Sequence, residues 1–198
     1  MRKRNRAPFS QHHFAAGHGI TSKSNGLLDY YSDLIIKNKE SMNLVVGSGS
    51  GLIPMFFADI TKYESRYNVT LLDAGIGSVG FGHPWGNSGW AYSDSDLYKF
   101  YPDIRIIFST SNLGMQYLHN NNQLFDTIFL DANHSESFVF DDLENSISIL
   151  AKAGIVILHD RNLVSIRNAV FKFMEKNTEF RIVNESTIGA GMIAICRK

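Results

Sequence analysis

Two short clusters hold the side chains best suited to moving protons or holding a cation. Asp131-Ala132-Asn133-His134 and His159-Asp160 each follow an apolar, β-rich run. Histidine is the side chain whose ordinary pKa lets it take or give a proton near neutrality. His134 is therefore the first candidate for a general base, with His159 and Asp160 as further catalytic candidates. Asp131 and Asp160 end neighbouring runs, so they are expected to face one another and could share a Mg²⁺ that acidifies a bound hydroxyl. The plainer alternatives are helix capping or salt bridging for the two acids, and an N-cap or packing role for His134, with Ser135 free to cap the same helix.

A second chemistry-bearing segment lies upstream. Val45-Val46-Gly47-Ser48-Gly49-Ser50-Gly51 puts a glycine-rich turn between an apolar run and the helical stretch 52–67. Glycines let backbone amides approach a ligand with no Cβ in the way, and the helix start offers unpaired N–H donors. Asp73, followed by Ala74, ends the next run, near the offset of about 20 residues at which such folds place an acid for ribose hydroxyls. A dinucleotide fingerprint wants a glycine where this chain has Leu52. The Gly-x-Gly-x-Gly turn suits the methionine and adenosine of S-adenosylmethionine (SAM), which has no pyrophosphate, better than NAD. A rival acid-glycine turn, Asp73-Ala74-Gly75-Ile76-Gly77, would start the fold later and leave the first apolar run outside it.

These residues need a scaffold that brings their turns to one end. Apolar runs at 44–46, 69–72, 104–108, 127–130 and 155–158 read as strands buried on both faces. Helical spacing between them is clearest at Val139, Leu143, Ile147 and Leu150, before an expected stop at Gly154, and again at Ile166, Val170, Phe173 and Met174. Strand and helix in alternation imply a parallel sheet wound with helices on both faces, with ligands at the strands' carboxyl ends. Two last runs, 180–183 and 191–196, are close enough to pair antiparallel, giving seven strands. The expected class is α/β, a Rossmann-like, mostly parallel seven-stranded sheet with an antiparallel C-terminal hairpin. Residues 1–25, with His12, His13 and His18, read as an arm or cap on a domain spanning 26–198, and the histidines are too irregularly spaced for a standard metal motif. The glycine- and aromatic-rich segment 74–95, with Trp85 and Trp90, reads as a lid, an oligomer contact or an insertion.

Bulk composition narrows the function classes. The 198 residues suit one domain, and 19 Lys plus Arg against 19 Asp plus Glu give no global field toward nucleic acid or an anionic membrane. The basic start Met1–Arg6 reads as a solvated terminus. A single cysteine, Cys196, forbids an internal disulfide, and no apolar stretch approaches the ~20 residues of a membrane span, so the chain is expected to be cytoplasmic. Neither a membrane nor a nucleic-acid partner is expected, substrate charge is left open, and so is homo-oligomerisation.

The stretch Phe125-Asp-Thr-Ile-Phe-Leu-Asp131-Ala-Asn-His134-Ser135, then Asp141-Asp142-Leu143-Glu144, then Leu150-Ala-Lys-Ala-Gly154-Ile-Val-Ile-Leu158-His159-Asp160 resembles a family of small class I SAM-dependent methyltransferases. Their pattern runs from an Asp-x-Asp-His-Ser turn through a helix with Asp-Leu and a Lys-Pro-Gly-Gly to a strand ending His-Asp. This chain departs from it at Asn133, at Glu136-Ser137, at Lys152-Ala-Gly-Ile155, and at Val45, where an acid is common. The resemblance implies SAM bound by Gly47, Ser48, Gly49, Gly51, Asp73, Ala74, Ser109, Ser111 and Asp131, and in some relatives a metal, here at Asp131 and Asp160. It implies methyl transfer, most simply to a hydroxyl of a small molecule. A non-catalytic SAM- or nucleotide-binding protein and an NAD-dependent oxidoreductase are the alternatives.

Overall fold

The computed structural model describes residues 41–48, 51–60, 68–75, 96–187 and 189–198. The expected arm at 1–25, residues 76–95 of the long loop with both tryptophans, Gly49, and the last part of the first helical stretch (61–67) lie outside the described residues. Seven strands form one sheet: β1 (Asn43–Val46), β2 (Val69–Asp73), β3 (Arg105–Phe108), β4 (Phe125–Leu130), β5 (Leu150–His159), β6 (Phe180–Ser186) and β7 (Met192–Arg197). Helices α1 (Leu52–Ile60), α2 (Asp96–Phe100), α3 (Ser111–Asn120), α4 (Glu136–Ser148) and α5 (Val164–Lys176) lie between them.

The sheet order is β3-β2-β1-β4-β5-β7-β6. The first five strands run parallel. β7 enters antiparallel between β5 and β6, so the expected hairpin is present and its second strand is interior. The order reverses beside β1, and in an open α/β sheet that crevice is where ligands bind.

Side chains alternate across a strand, and here both faces are covered, which is why the central runs are apolar throughout. Val45, Leu71, Phe129 and Ile157 face Phe56 and Phe57 of α1 and Leu97 of α2. Leu44, Val46, Ile128, Leu130 and Leu158 face Met115 of α3, Leu143 of α4, and Ile166 and Phe173 of α5.

Two expectations need correction. β3 is not buried on both faces: it is an edge strand, with Arg105 exposed and Phe108 60% exposed. Gly154 does not stop α4, which ends at Ser148 with Ile149 at the C-cap. Leu150 already pairs with Phe125, and the register jumps before Thr127 meets Ile155, so residues 151–154 form a bulge inside β5. Leu150 continues the helical spacing by coincidence. The Phe125 amide donates to the carbonyl of Ile149, which commits the chain to the sheet there.

Candidate active site

Parallel pairing of β4 with β5, Leu130 beside Leu158, brings the two clusters that follow these strands together. His134 Nε2 lies 2.8 Å from Asp160 Oδ2 and 3.3 Å from Asp131 Oδ1. His159 Nδ1 lies 3.2 Å from each of the same two oxygens. Two imidazoles therefore share two carboxylates in a closed ring. Asp160 reaches it from a left-handed backbone, φ 56°, a strained state for a non-glycine residue that clusters at functional sites.

The electrostatics follow from that ring. Burial disfavours a charged imidazole, but the bonds and charges of Asp131 and Asp160 outweigh it, holding His134 at about 9 and His159 at about 10. Burial would raise the two acids, yet the histidines hold both carboxyls below their ordinary range. The ring at neutral pH is two imidazoliums against two carboxylates, without net charge.

Exposure separates the histidines. The side chain of His134 is 38% exposed, whereas that of His159 is wholly buried, with Phe129 stacked at a tilt 6.2 Å away. The buried His159 ring is engaged with both acids. Period two in β5 already puts it on the face of Ile155 and Ile157, under α1, so this burial was readable in the sequence.

The glycine turn abuts the ring. Gly47 has φ 77°, and a Cβ on it would lie 2.5 Å from Ala132 Cα and from the carbonyl oxygen of Asp131. Only glycine fits there. Asp73 accepts hydrogen bonds from the amides of Ser48 (2.9 Å) and Gly75 (2.8 Å), so it ties the turns after β1 and β2 together. A carboxylate accepts about four hydrogen bonds, which keeps its expected ribose contact compatible with this bracing. Ser48 Oγ is buried with no partner among the described residues. Gly51, also at positive φ, donates to the Ser48 carbonyl and closes the turn. Ala74 is half-buried, and the Ser109 amide donates to the Asp73 carbonyl, bringing the turn after β3 to the same edge.

The capping alternatives are not realised. Ser135, not His134, occupies the N-cap position of α4, and it makes no side-chain cap bond; Leu163 holds the N-cap position of α5 after Asp160. The salt-bridge alternative for Asp131 and Asp160 is realised, with histidines as partners. Asp142, quoted above only within the Asp-Leu part of the resemblance and given no role there, is 3% exposed in α4, and burial pushes its carboxyl up to about 6 against the opposing influence of the Ser111 side chain. Its signal was its position on the stripe of Val139, Leu143 and Ser146, a charge on a buried face.

Ligand atoms of Asp131, His134 and Asp160 lie within 4.8 Å of one another. Mg²⁺ prefers oxygen ligands in near-octahedral array, and here each inward carboxylate oxygen is engaged by imidazole nitrogens. Two oxygens and a nitrogen suit an ion that accepts imidazole better than Mg²⁺. A larger groove of about 590 Å³ lies away from the ring, between α4 and α5. It is a solvated seam crossed by the Lys172–Glu136 ion pair. No helix among the described residues is long and apolar enough to cross a membrane.

Comparison with known proteins agrees with this layout. No curated protein sequence matches the chain. An O-methyltransferase from Bacillus cereus, solved in complex with SAH, superposes with a TM-score of 0.62 at 13% identity, covering 89% of this chain and 82% of that one. Fibrillarin from Aeropyrum pernix, with natively bound SAM, superposes with a TM-score of 0.59 at 12% identity over 85% and 72%. A ribosomal protein L11 methylase from Lactobacillus delbrueckii subsp. bulgaricus gives 0.54 at 20% identity over 89% and 80%. At such identities these likenesses establish the fold alone. The family model described as "Methyltransferase domain" matches residues 44–161, from β1 through the turn after β5. That span is more than half of the chain and contains the glycine turn, Asp73 and the whole His–Asp ring, so the protein belongs to the methyltransferase domain family and is an enzyme of the class I SAM-dependent methyltransferase type.

Proposed function

We propose that the chain transfers the sulfonium methyl group of SAM to a hydroxyl of a small-molecule acceptor, with His134 as the base. The observation that supports this reading is the close approach of Gly47 to the Asp131–Ala132 backbone, which brings the glycine turn against the segment that carries His134. Methyl transfer is an in-line displacement: the acceptor oxygen forms a bond to the methyl carbon as the carbon–sulfur bond breaks, leaving SAH. Most of the catalysis is alignment and exclusion of water. The hydroxyl proton passes to neutral His134, and a base with a pKa of about 9 is strong although mostly protonated at neutral pH. Asp131 and Asp160 orient that ring and hold its charge after transfer. The balance of 19 Lys plus Arg against 19 Asp plus Glu favours a small acceptor over a polyanion.

Isothermal titration with SAM and, separately, NAD tests the cofactor, repeated with Asp73→Ala. We expect SAM to bind at micromolar Kd, NAD not to bind, and Asp73→Ala to lose at least about tenfold, the worth of one or two hydrogen bonds to a charged group. Absence of SAM binding by the wild-type chain sinks the reading. SAH release in the presence of candidate hydroxylated acceptors then identifies the substrate.

A further inference from the structure

Asp142 is a carboxylate kept in an apolar interior at a cost. It sits in the second turn of α4 between Val139, Leu143 and Ser146, all buried. Helix-to-helix adhesion does not require it there. Asn145, one turn on, already donates to Asn112 Oδ1 at 3.4 Å, and His119 Nδ1 lies 3.4 Å from the Ser148 carbonyl, both contacts at the solvated end of the α3–α4 seam. Asp142 is the buried member of that line, at the end where the ligand turns lie.

The Ser111 hydroxyl is near enough to draw the Asp142 carboxyl's pKa down against the rise from burial. Ser111 is the first residue of α3, in the segment that braces Asp73 through the Ser109 amide. Asp142 Oδ1 is buried with no hydrogen-bond partner among the described residues. Asp142 also lines a cavity of about 10 Å³ beneath Ala132, Asn133 and His134, room for about one water. Buried polar atoms without protein partners are uncommon and concentrate where function outweighs stability.

We propose that Asp142 is a positioning residue of the transfer site: without touching ligand, it holds the turn after β3 through Ser111 and the His134 turn through one buried water. The side of the pocket facing the nucleoside and the base thereby keep a fixed separation. The proposal rests on the methyl-transfer reading for its ligand, though not for its geometry.

The test uses the full chain with Asp142→Leu, Asp142→Asn and Ser111→Ala, titrated with SAM and with 5′-methylthioadenosine, which lacks the amino-acid portion. Asp142→Leu is expected to lose about tenfold for both ligands, as for one lost positioning bond, while Asp142→Asn, which keeps a hydrogen-bonding head, stays within about twofold. A purely structural role would instead lower the melting temperature of Asp142→Leu and leave both affinities in place, which would overturn the proposal. So would equal losses in the Asn and Leu variants. A ligand-free measurement separates this outcome from failure of SAM binding as such, and still decides if Asp142→Leu does not fold. The ring C–H resonances of His134, assigned with His134→Gln, should move in Ser111→Ala if Asp142 links the two turns; unmoved resonances refute the link.

Discussion

Asp131→Asn keeps the side chain's shape and removes its charge, so it isolates the electrostatics of the His–Asp ring. The variant leaves two imidazoles against one carboxylate, and one of them, His159, has no exposed side-chain surface. The rise of His159 from 6.5 to about 10 corresponds to ~5 kcal/mol in favour of the charged ring in the folded state. Asp131 is the largest favourable source of it. His159 can lose its proton in the variant and Asp160 remains, so the expected loss of unfolding free energy at pH 6 is ~2–4 kcal/mol. His134 adds little to this figure because solvent screens its exposed ring.

The pH dependence follows from the signs. A histidine whose pKa is raised stabilises the fold fully below its unfolded value of 6.5, and the contribution is lost as pH climbs through about 9 to 10. The lowered carboxylates contribute above their unfolded value of 3.8 and lose that contribution as pH falls below it. The wild-type advantage is therefore largest between the two, near pH 5–6, and shrinks to below about 1 kcal/mol by pH 10. Urea unfolding followed by far-UV circular dichroism at pH 6 and pH 10 measures it. A penalty equal at both pH values, or below about 0.5 kcal/mol at pH 6, would refute the ring as an electrostatic unit.

Other consequences are quickly checked. His134→Gln should slow transfer by about 10²–10⁴ while leaving SAM affinity within about twofold, measured by SAH release and titration calorimetry. The wild-type rate should rise with pH and level off near pH 9, as the base loses its proton. Gly47→Ala should cost roughly 2–4 kcal/mol, from overpacking against the Asp131–Ala132 backbone and a positive φ, and should weaken SAM binding; a thermal melt within error of wild type would remove the claim that the two turns are in contact.

Much of this architecture was legible because hydrophobic runs and turn residues agree. The central strands are apolar on both faces, and glycine or an acid marks where each ends, so β1, β2, β4 and β5 and their ligand-side turns follow from pattern alone. Pairing of Asp131 with Asp160 followed from their places at the ends of neighbouring strands. What pattern could not supply was which partners would satisfy them. The histidines between the acids are a tertiary outcome, set by the register of Leu130 with Leu158. Edge position was only partly legible: Arg105 breaks the apolar run from Ile104 to Phe108, and among the described strands β3 has a neighbour on one side only. The α4–β5 junction failed for a local reason: Ile149 and Leu150 satisfy both a helical and a strand period, and pairing with Phe125 decides between them.

The interior seat of β7 has a temporal meaning during synthesis. β5 delivers His159 and Asp160, and its outer edge is open until residues 192–197 emerge and pair with it. Among the described strands, β6, made earlier, bonds only to β7 and must wait for its own successor. A nascent chain that has completed every residue of the ring thus still presents an unpaired, apolar strand, a template for misassociation. Closure comes with the last strand, when Arg197 donates to the carbonyls of Ile147 and Leu150 across the junction into β5. The residues of the ring precede β7 in the sequence, yet it is β7 that covers the outer edge of the strand from which two of them issue.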